Sequence, residues 1–208
     1  NYKSLIIILI LSCVINFLIF FFFKSYSLIS NLIIISSLFL IIHSIKDFIL
    51  KSKTKSYFNY SSFLSHLGFG ILMFFIILNH NFSKEFDLNI KVGETKKIGD
   101  MEIKFKNLKI EKRENYNVII GSFNIFDYKK NYEKKLNPEI RVYNNPQTLT
   151  FESAIKTNLK RDLYLTMSNI DGSDFYNVKF QIKPFMLWIW FAAFLTASGG
   201  LLRTLRIK

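Results

Sequence analysis

The sequence predicts an α+β membrane protein: four transmembrane helices, with a small all-β domain, a sandwich or barrel, inserted before the last helix. Two observations predict this fold class. Four long runs of the chain are almost entirely apolar, and the segment 81–184 instead alternates polar and apolar residues in short stretches. The placement of the basic residues then predicts which side of the membrane each part occupies.

The apolar runs are the first evidence for membrane helices, and they are Leu5–Phe23, Leu28–Ile45, Phe63–Leu78 and Phe185–Leu202. A spanning helix needs about 17–25 mostly apolar residues. The third run is slightly short and is extended by the residues just before it. The first run is long for a signal-peptide core and lacks a small-residue cleavage site, so it predicts a helical hairpin with the second. We expect a hairpin over 1–50, a third helix over 61–80 and a fourth over 185–203.

The net charge of +13 is explained by membrane topology. Segment 81–184 holds 19 Lys/Arg and 14 Asp/Glu, so most of the excess lies elsewhere, next to the helices. Basic residues collect in short cytoplasmic loops. We therefore place loop 51–60 and tail 204–208 in the cytoplasm, segment 81–184 on the outer face, and expect no nucleic-acid partner. The flanking basic residues are Lys46, Lys51, Lys53, Lys55, Arg203, Arg206 and Lys208.

Period-two alternation predicts strands in segment 81–184, because alternate side chains of a half-buried strand face the core. The alternating stretches are Asp87–Val92, Met101–Lys106, Leu108–Ile110, Val118–Phe126 and Asn177–Ile182. Thr150–Thr157 lacks this period and predicts a helical turn. Arg161-Asp162 is interpreted as a structural or exposed charged pair ahead of a strand.

His66 is the candidate site residue, because an imidazole inside a membrane helix is costly without a partner. Gly68 and Gly70 follow it and remove side-chain bulk, which would admit another helix or a large flat ligand. Two interpretations stay open at this point. His66 either bonds a serine or carbonyl of a neighbouring helix, or it ligates a haem or a metal.

Other candidates carry weaker signals. His43 lies at about the depth of His66 if their helices are antiparallel, so a haem between two imidazoles is conceivable. His80 is interpreted as an interfacial residue. Trp188 and Trp190 are typical of an aromatic belt at the membrane interface. Gly199-Gly200 predicts either close helix packing or a kink.

From His66 to Arg203 the chain resembles the C-terminal part of the cytochrome c-type biogenesis protein CcmF family. The matching pieces occur in the order of that family. They are His66-Leu67-Gly68, Val92-Gly93-Glu94, Arg141-Val142-Tyr143, Glu152–Ile155, Arg161–Tyr164, Lys183–Phe185, Trp188–Trp190 and Gly199–Leu202.

The resemblance implies a subunit of a holocytochrome c synthase, or haem lyase, in the inner membrane of a bacterium or, alternatively, of a mitochondrion. It implies haem b as cofactor and carries an axial-ligand role onto His66. Lipid, other haem lyase subunits, a haem chaperone and apocytochrome c are the implied partners. Haem would be delivered to apocytochrome c on the outer face.

The family's tryptophan-rich outer motif, its two outer-face histidines and its second membrane histidine have no counterpart here. We therefore expect a C-terminal piece, truncated or from a split gene, that is inactive alone and whose second haem ligand lies elsewhere. No catalytic residue is named. Two alternatives remain: a sister haem lyase subunit for a nitrite-reductase cytochrome, or a non-enzymatic anchor presenting a β domain to a partner.

Overall fold

The computed structural model describes residues 2–23, 27–53, 59–128 and 132–205. Over these residues, four helices are long and apolar enough to cross a membrane. They are α1 (Tyr2–Phe23), α2 (Leu28–Lys53), α3 (Tyr60–Phe82) and α4 (Met186–Leu205). The four predicted apolar runs are thus confirmed as helices. Lys55, Arg206 and Lys208 lie outside the described residues.

Helices α1 and α2 are linked by polar contacts inside apolar sequence. The Asn16 side-chain amide donates to the Asn31 side-chain oxygen over 3.0 Å. Near the beginning of α1, the Lys46 ammonium of α2 donates a hydrogen bond to the Ser4 hydroxyl. Buried Ser12 satisfies its hydroxyl on the Ile8 carbonyl of its own helix, at 2.9 Å. The two bonds between α1 and α2 stabilise this helix pair in lipid, where an unpaired polar group is costly.

Helices α3 and α4 pack antiparallel through small residues. The Ser61 hydroxyl donates to the Gly199 carbonyl over 2.7 Å, which joins the start of α3 to the end of α4. Ala192 is fully buried on the same helix. The basic end of α2, with Lys51 and Lys53, precedes α3 by a short connection, so it lies at the same end of the helical unit as Arg203 of α4.

The segment Ser83–Lys183 folds as a separate β unit. Within its described residues, one sheet has the order β1-β10-β9-β8 and the other β2-β3-β4-β6-β7, with β5 also paired to β4. Antiparallel pairing joins β1 to β10, β2 to β3, β3 to β4, β4 to β5, β4 to β6, β6 to β7 and β8 to β9. The strands are β1 (Lys84–Ile90), β2 (Thr95–Ile98), β3 (Met101–Lys112), β4 (Tyr116–Asp127), β5 (Tyr132–Leu136), β6 (Glu139–Asn144), β7 (Gln147–Glu152), β8 (Ala154–Lys156), β9 (Arg161–Asn169) and β10 (Tyr176–Pro184).

The core of the β unit forms where the two sheets face each other. Phe105 of β3 and Phe123 of β4 stack with ring centroids 4.2 Å apart, and both are fully buried. Strand β3 has an irregular register between Phe105 and Asn107. A β-bulge adds one residue and shifts the alternation, which explains why the apolar positions move from odd to even numbers beyond Phe105. The other fully buried core residues include Ile90, Ile103, Leu165, Met167, Val178 and Phe180.

Two expectations for this unit were wrong. Residues 150–157, predicted as a helical turn, belong instead to β7 and β8 at the sheet edges. Ser153 lies between the two strands and interrupts the alternation over this segment. Leu149, Phe151 and Ile155 are also exposed, so no buried apolar face marks these strands. Arg161-Asp162 does not precede a strand but begins β9, where Asp162 is buried.

Candidate functional site in the helical unit

A groove of about 500 Å³ runs between α2 and α3. One wall comes from a single face of α2 and the other from the first turns of α3, since each set of lining residues recurs every three or four positions. The lining residues are Leu40, His43, Ser44, Asp47, Lys51, Asn59, Ser62, Phe63 and His66.

His66 is an exposed residue of α3 on the wall of this groove. Among the described residues, no serine hydroxyl or backbone carbonyl accepts a hydrogen bond from its ring. Its imidazole is therefore available to a ligand in the groove, and the first interpretation, a histidine bonded to a neighbouring helix, has no support in this part of the chain. An imidazole is the protein ligand best suited to haem iron.

His43 lies on the opposite wall of the same groove, so the structure brings the two histidines together. Its ring stacks on Phe39 of α2, with centroids 6.1 Å apart. One turn further along α2, Asp47 forms an ion pair with Lys51, with Oδ2 and Nζ 3.2 Å apart. The groove is therefore apolar on one side and charged towards the end of α2. The spacing of His43, Asp47 and Lys51 by four residues is a signal that could have indicated this shared face from the sequence.

The glycines next to His66 serve helix packing. A Cβ at Gly68 would lie 2.7 Å from the Thr196 nitrogen of α4, and one at Gly70 would lie 2.9 Å from Ile41 Cγ1 of α2. Of the two roles expected for these glycines, approach of another helix is the one observed. Gly199 has the same role on α4, because a Cβ there would lie 2.6 Å from the Ser65 nitrogen.

The contact at Gly70 limits what can fit between α2 and α3. Helices in direct contact have axes about 8–10 Å apart. His43 comes soon after Ile41 in α2, and His66 comes shortly before Gly70 in α3, so both histidines lie close to that contact. A porphyrin standing edge-on between the two imidazoles would force the helices apart. A haem held by His66 would therefore have to lie against the open side of the groove. Among the described residues, no cluster of three or more His, Cys, Asp or Glu offers a separate metal site.

The remaining aromatic candidates sit at helix ends. His80 is exposed in the last turn of α3. Trp188 stacks on Phe75 of α3, with ring centroids 5.8 Å apart, whereas Trp190 is 68% exposed. Trp188 thus contributes to packing between α3 and α4, and Trp190 faces away from the helical unit.

Charged pairs in the β unit were missed from the sequence because their members are far apart in the chain. Arg161 of β9 pairs with Asp127 of β4, with Nη2 and Oδ2 2.5 Å apart. The Glu102 carboxylate accepts a hydrogen bond from the Tyr128 hydroxyl and thereby raises the pKa of Tyr128 above its usual range. No local pattern joins such residues before the sheets form.

Comparison with known proteins agrees with this architecture. Residues 81–184 match the family model described as the CcmF C-terminal beta-sandwich. "Cytochrome c-type biogenesis protein CcmF" of Haemophilus influenzae is 35% identical over 141 residues, which are 67% of this chain and 21% of that protein. "Probable cytochrome c-type biogenesis protein NrfE" of Escherichia coli is 26% identical over 67% of this chain and 25% of its own length.

A solved structure named "Cytochrome c Heme Lyase CcmF" has the same fold, with a TM-score of 0.78 and 15% identity. That match covers 97% of this chain and 34% of the solved chain. The helices, the inserted sandwich and these relatives define a multi-pass bacterial inner-membrane protein, and the relatives are named for cytochrome c-type biogenesis. More specifically, the chain belongs to the CcmF family. It spans between a fifth and a quarter of the length of the curated relatives compared here.

Proposed function

We propose that His66 supplies one axial nitrogen to a haem b in the membrane, as part of a haem lyase that delivers haem to apocytochrome c. The observation that carries this proposal is the position of His66 on an open groove of about 500 Å³, with no hydrogen-bond partner among the described residues. When bound, haem iron supplies one-electron redox chemistry, with a potential set by its axial ligands and its burial.

The groove residues have separate roles in this proposal. The imidazole of His66 would hold the iron, and Leu40 and Phe63 would exclude water from the apolar side. Phe63 is itself fixed by stacking on Phe48, with ring centroids 5.0 Å apart. The close contact of α2 with α3 at Gly70 argues that the second axial ligand comes from a helix outside this chain.

The basic ends of α2 and α4 support the proposed orientation. Lys51, Lys53 and Arg203 lie at one end of the helical unit, which is the cytoplasmic end by the positive-inside rule. The chain leaves α3 at the opposite end and enters the β unit there, so we propose that the β unit is periplasmic. The haem chaperone, the other lyase subunits and apocytochrome c would meet the protein on that side. The chain alone is not expected to attach haem.

The experiment is replacement of His66 by Ala in the assembled lyase, purified from membranes, with the reduced b-haem absorbance as the readout. We expect loss of most of that absorbance, because one axial ligand is removed, together with a fall in cytochrome c yield. His80→Ala is the matched control, since His80 is also an exposed histidine of α3. His43→Ala tests the neighbouring imidazole and should retain the haem.

Two outcomes would overturn the proposal. An unchanged spectrum with a normal cytochrome c yield in His66→Ala would remove His66 from the site. That result, combined with partner binding by the unaltered chain, would favour an anchor that presents a β unit. Equal loss in His43→Ala and His66→Ala would replace the outside ligand by a pair of imidazoles from α2 and α3.

A second candidate within the same class is a lyase dedicated to a nitrite-reductase cytochrome. The relative named NrfE is 26% identical to this chain, against 35% for CcmF of Haemophilus influenzae, so the general lyase stays the first candidate. Deleting the gene and measuring each c-type cytochrome separately distinguishes the two. A general lyase predicts loss of all of them, whereas a dedicated lyase predicts loss of one.

A further inference from the structure

A second cavity, of about 220 Å³, lies within the β unit. It opens where β3 begins, β4 ends and β9 begins, so both sheets contribute to its wall. Its floor is apolar and its wall is polar. The floor is formed by Met101, Ile125 and Leu163, and the wall by Asp127, Tyr132, Lys134, Asn158 and Arg161.

Arg161 is the central group of this wall. Its Nη2 contacts Asp127 Oδ2 at 2.5 Å, and the two side chains are 21% and 10% exposed. A guanidinium has five N–H donors in a planar arrangement suited to carboxylates. The Arg161 Nε is buried without an acceptor among the described residues. Asp127 therefore fixes the guanidinium in place through Nη2. Because Nε has no exposed surface, the donor left for a ligand is Nη1, which has no acceptor among the described residues.

Asn158 is oriented in a way that leaves a further donor. Its side-chain oxygen accepts from the backbone nitrogens of Lys160 and Arg161, each at 2.9 Å. The amide NH₂ is therefore the group that Asn158 has left to offer a ligand. Tyr132 contributes a hydroxyl to the wall, and the described lining residues carry two cations, Lys134 and Arg161, and one carboxylate, Asp127. The wall thus favours an anion.

We propose that this cavity binds a carboxylate carried on a short apolar stem, of the propionate class. The apolar floor fits the stem, while Arg161 and Asn158 provide donors to the carboxylate. A water molecule takes about 30 Å³, so the cavity has ample room for five heavy atoms. The sources that share this chemistry are a free short-chain carboxylate and the propionate of a porphyrin.

The test uses the full chain in nanodiscs, labelled with ¹⁵N-arginine, and follows the Nε–Hε resonance of Arg161, assigned by its absence in Arg161→Lys. Titration with sodium propionate should give a saturable shift with a Kd of about 1–10 mM, the range open to so small a ligand. Propionamide, which lacks the charge, should give no saturable shift.

Two further variants keep the test independent of folding defects at Arg161. Lys134→Gln should weaken propionate binding about threefold to tenfold, since it removes a charge from the wall. The matched control is Lys109→Gln, because Lys109 is an exposed lysine outside the cavity that pairs with Glu111 at 2.6 Å. Equal weakening by both variants, an equal response to propionamide, or no saturable shift would overturn the site.

The source of the carboxylate is separated with metal-free protoporphyrin and its dimethyl ester. Neither contains iron, so His66 cannot ligate them and failure of the haem proposal leaves this test intact. Stronger competition with propionate by the free acid than by the ester supports a porphyrin propionate. Equal or absent competition, with propionate still bound, supports a free short-chain carboxylate in the same site.

Discussion

Gly199 offers the sharpest test of how α3 and α4 are held together. A Cβ built at Gly199 would lie 2.6 Å from the Ser65 nitrogen and 2.8 Å from the Ser61 carbonyl oxygen, and would also clash with the Ser65 hydroxyl. Two of these three atoms belong to the backbone and cannot rotate away. Replacement of Gly199 by Ala must therefore push α4 from α3.

The magnitude follows from the contacts that would be lost. Overpacking a well-packed site costs about 1–3 kcal/mol, and the interhelical bond from Ser61 to Gly199 adds about 0.6 kcal/mol in a membrane. Gly→Ala in a helix returns up to about 1 kcal/mol. The matched control is Gly200→Ala, whose Cβ meets no atom within 4 Å. The propensity gain is common to both variants, so Gly199→Ala should be less stable than Gly200→Ala by about 1.5–3.5 kcal/mol.

The assay is reversible unfolding in mixed micelles, followed by tryptophan fluorescence. The two tryptophans of the sequence, Trp188 and Trp190, both lie in α4. Trp188 stacks on Phe75 of α3, so its emission should report separation of the two helices. Equal stability of Gly199→Ala and Gly200→Ala would refute the close packing described for this pair.

Three other predictions concern separate parts of the molecule. Asn16→Leu should loosen the α1–α2 hairpin by about 0.6 kcal/mol, because its bond to Asn31 is lost; an unaltered midpoint in the same micelle assay would contradict this. Phe123→Ala should destabilise the β unit by about 3–5 kcal/mol, since its ring is fully buried, and thermal unfolding by near-ultraviolet circular dichroism measures the loss. Tyr128 should ionise above the usual pH range of tyrosine, because its pKa is raised. The hydrogen bond of Tyr128 to Glu102 should stabilise the fold below pH about 10, and this stabilisation should be lost as the pH rises through the raised pKa. The measurement is a pH titration of phenolate absorbance, with the curve of Tyr128→Phe subtracted from that of the wild type. A midpoint of the difference curve at or below pH about 10 would count against the bond to Glu102.

The sequence predicted the helices well because a membrane span depends on local composition. Each apolar run was long enough to be recognised without knowing its neighbours. Several strands were missed for the opposite reason. The edge strands β7 and β8 are separated by Ser153, which interrupts the alternation, and the short strands β2 and β5 carry few apolar residues. Their pairing is decided by neighbours that are distant in sequence.

The candidate site shows the same division. An intramembrane histidine followed by two glycines was visible in the chain, and His66 was selected on that basis. The groove that it shares with His43, Asp47 and Asn59 depended on the antiparallel packing of α2 with α3. The role of Gly68 could not be settled from the sequence, because the atoms that fill its space belong to α4, more than a hundred positions later.

By itself, the sequence determined four membrane helices, an inserted β domain and the charge asymmetry of the helix ends, and it selected His66 as the candidate haem ligand. These properties follow from hydrophobicity, strand alternation and the cost of an ionisable group in lipid, which act residue by residue. The tertiary structure decided that the glycines around His66 serve helix contacts, that Arg161 pairs with Asp127 and that a cavity with an apolar floor and a polar wall forms between the sheets. These properties depend on atoms brought together from distant segments, and distances between such atoms exist only once the helices and sheets have packed.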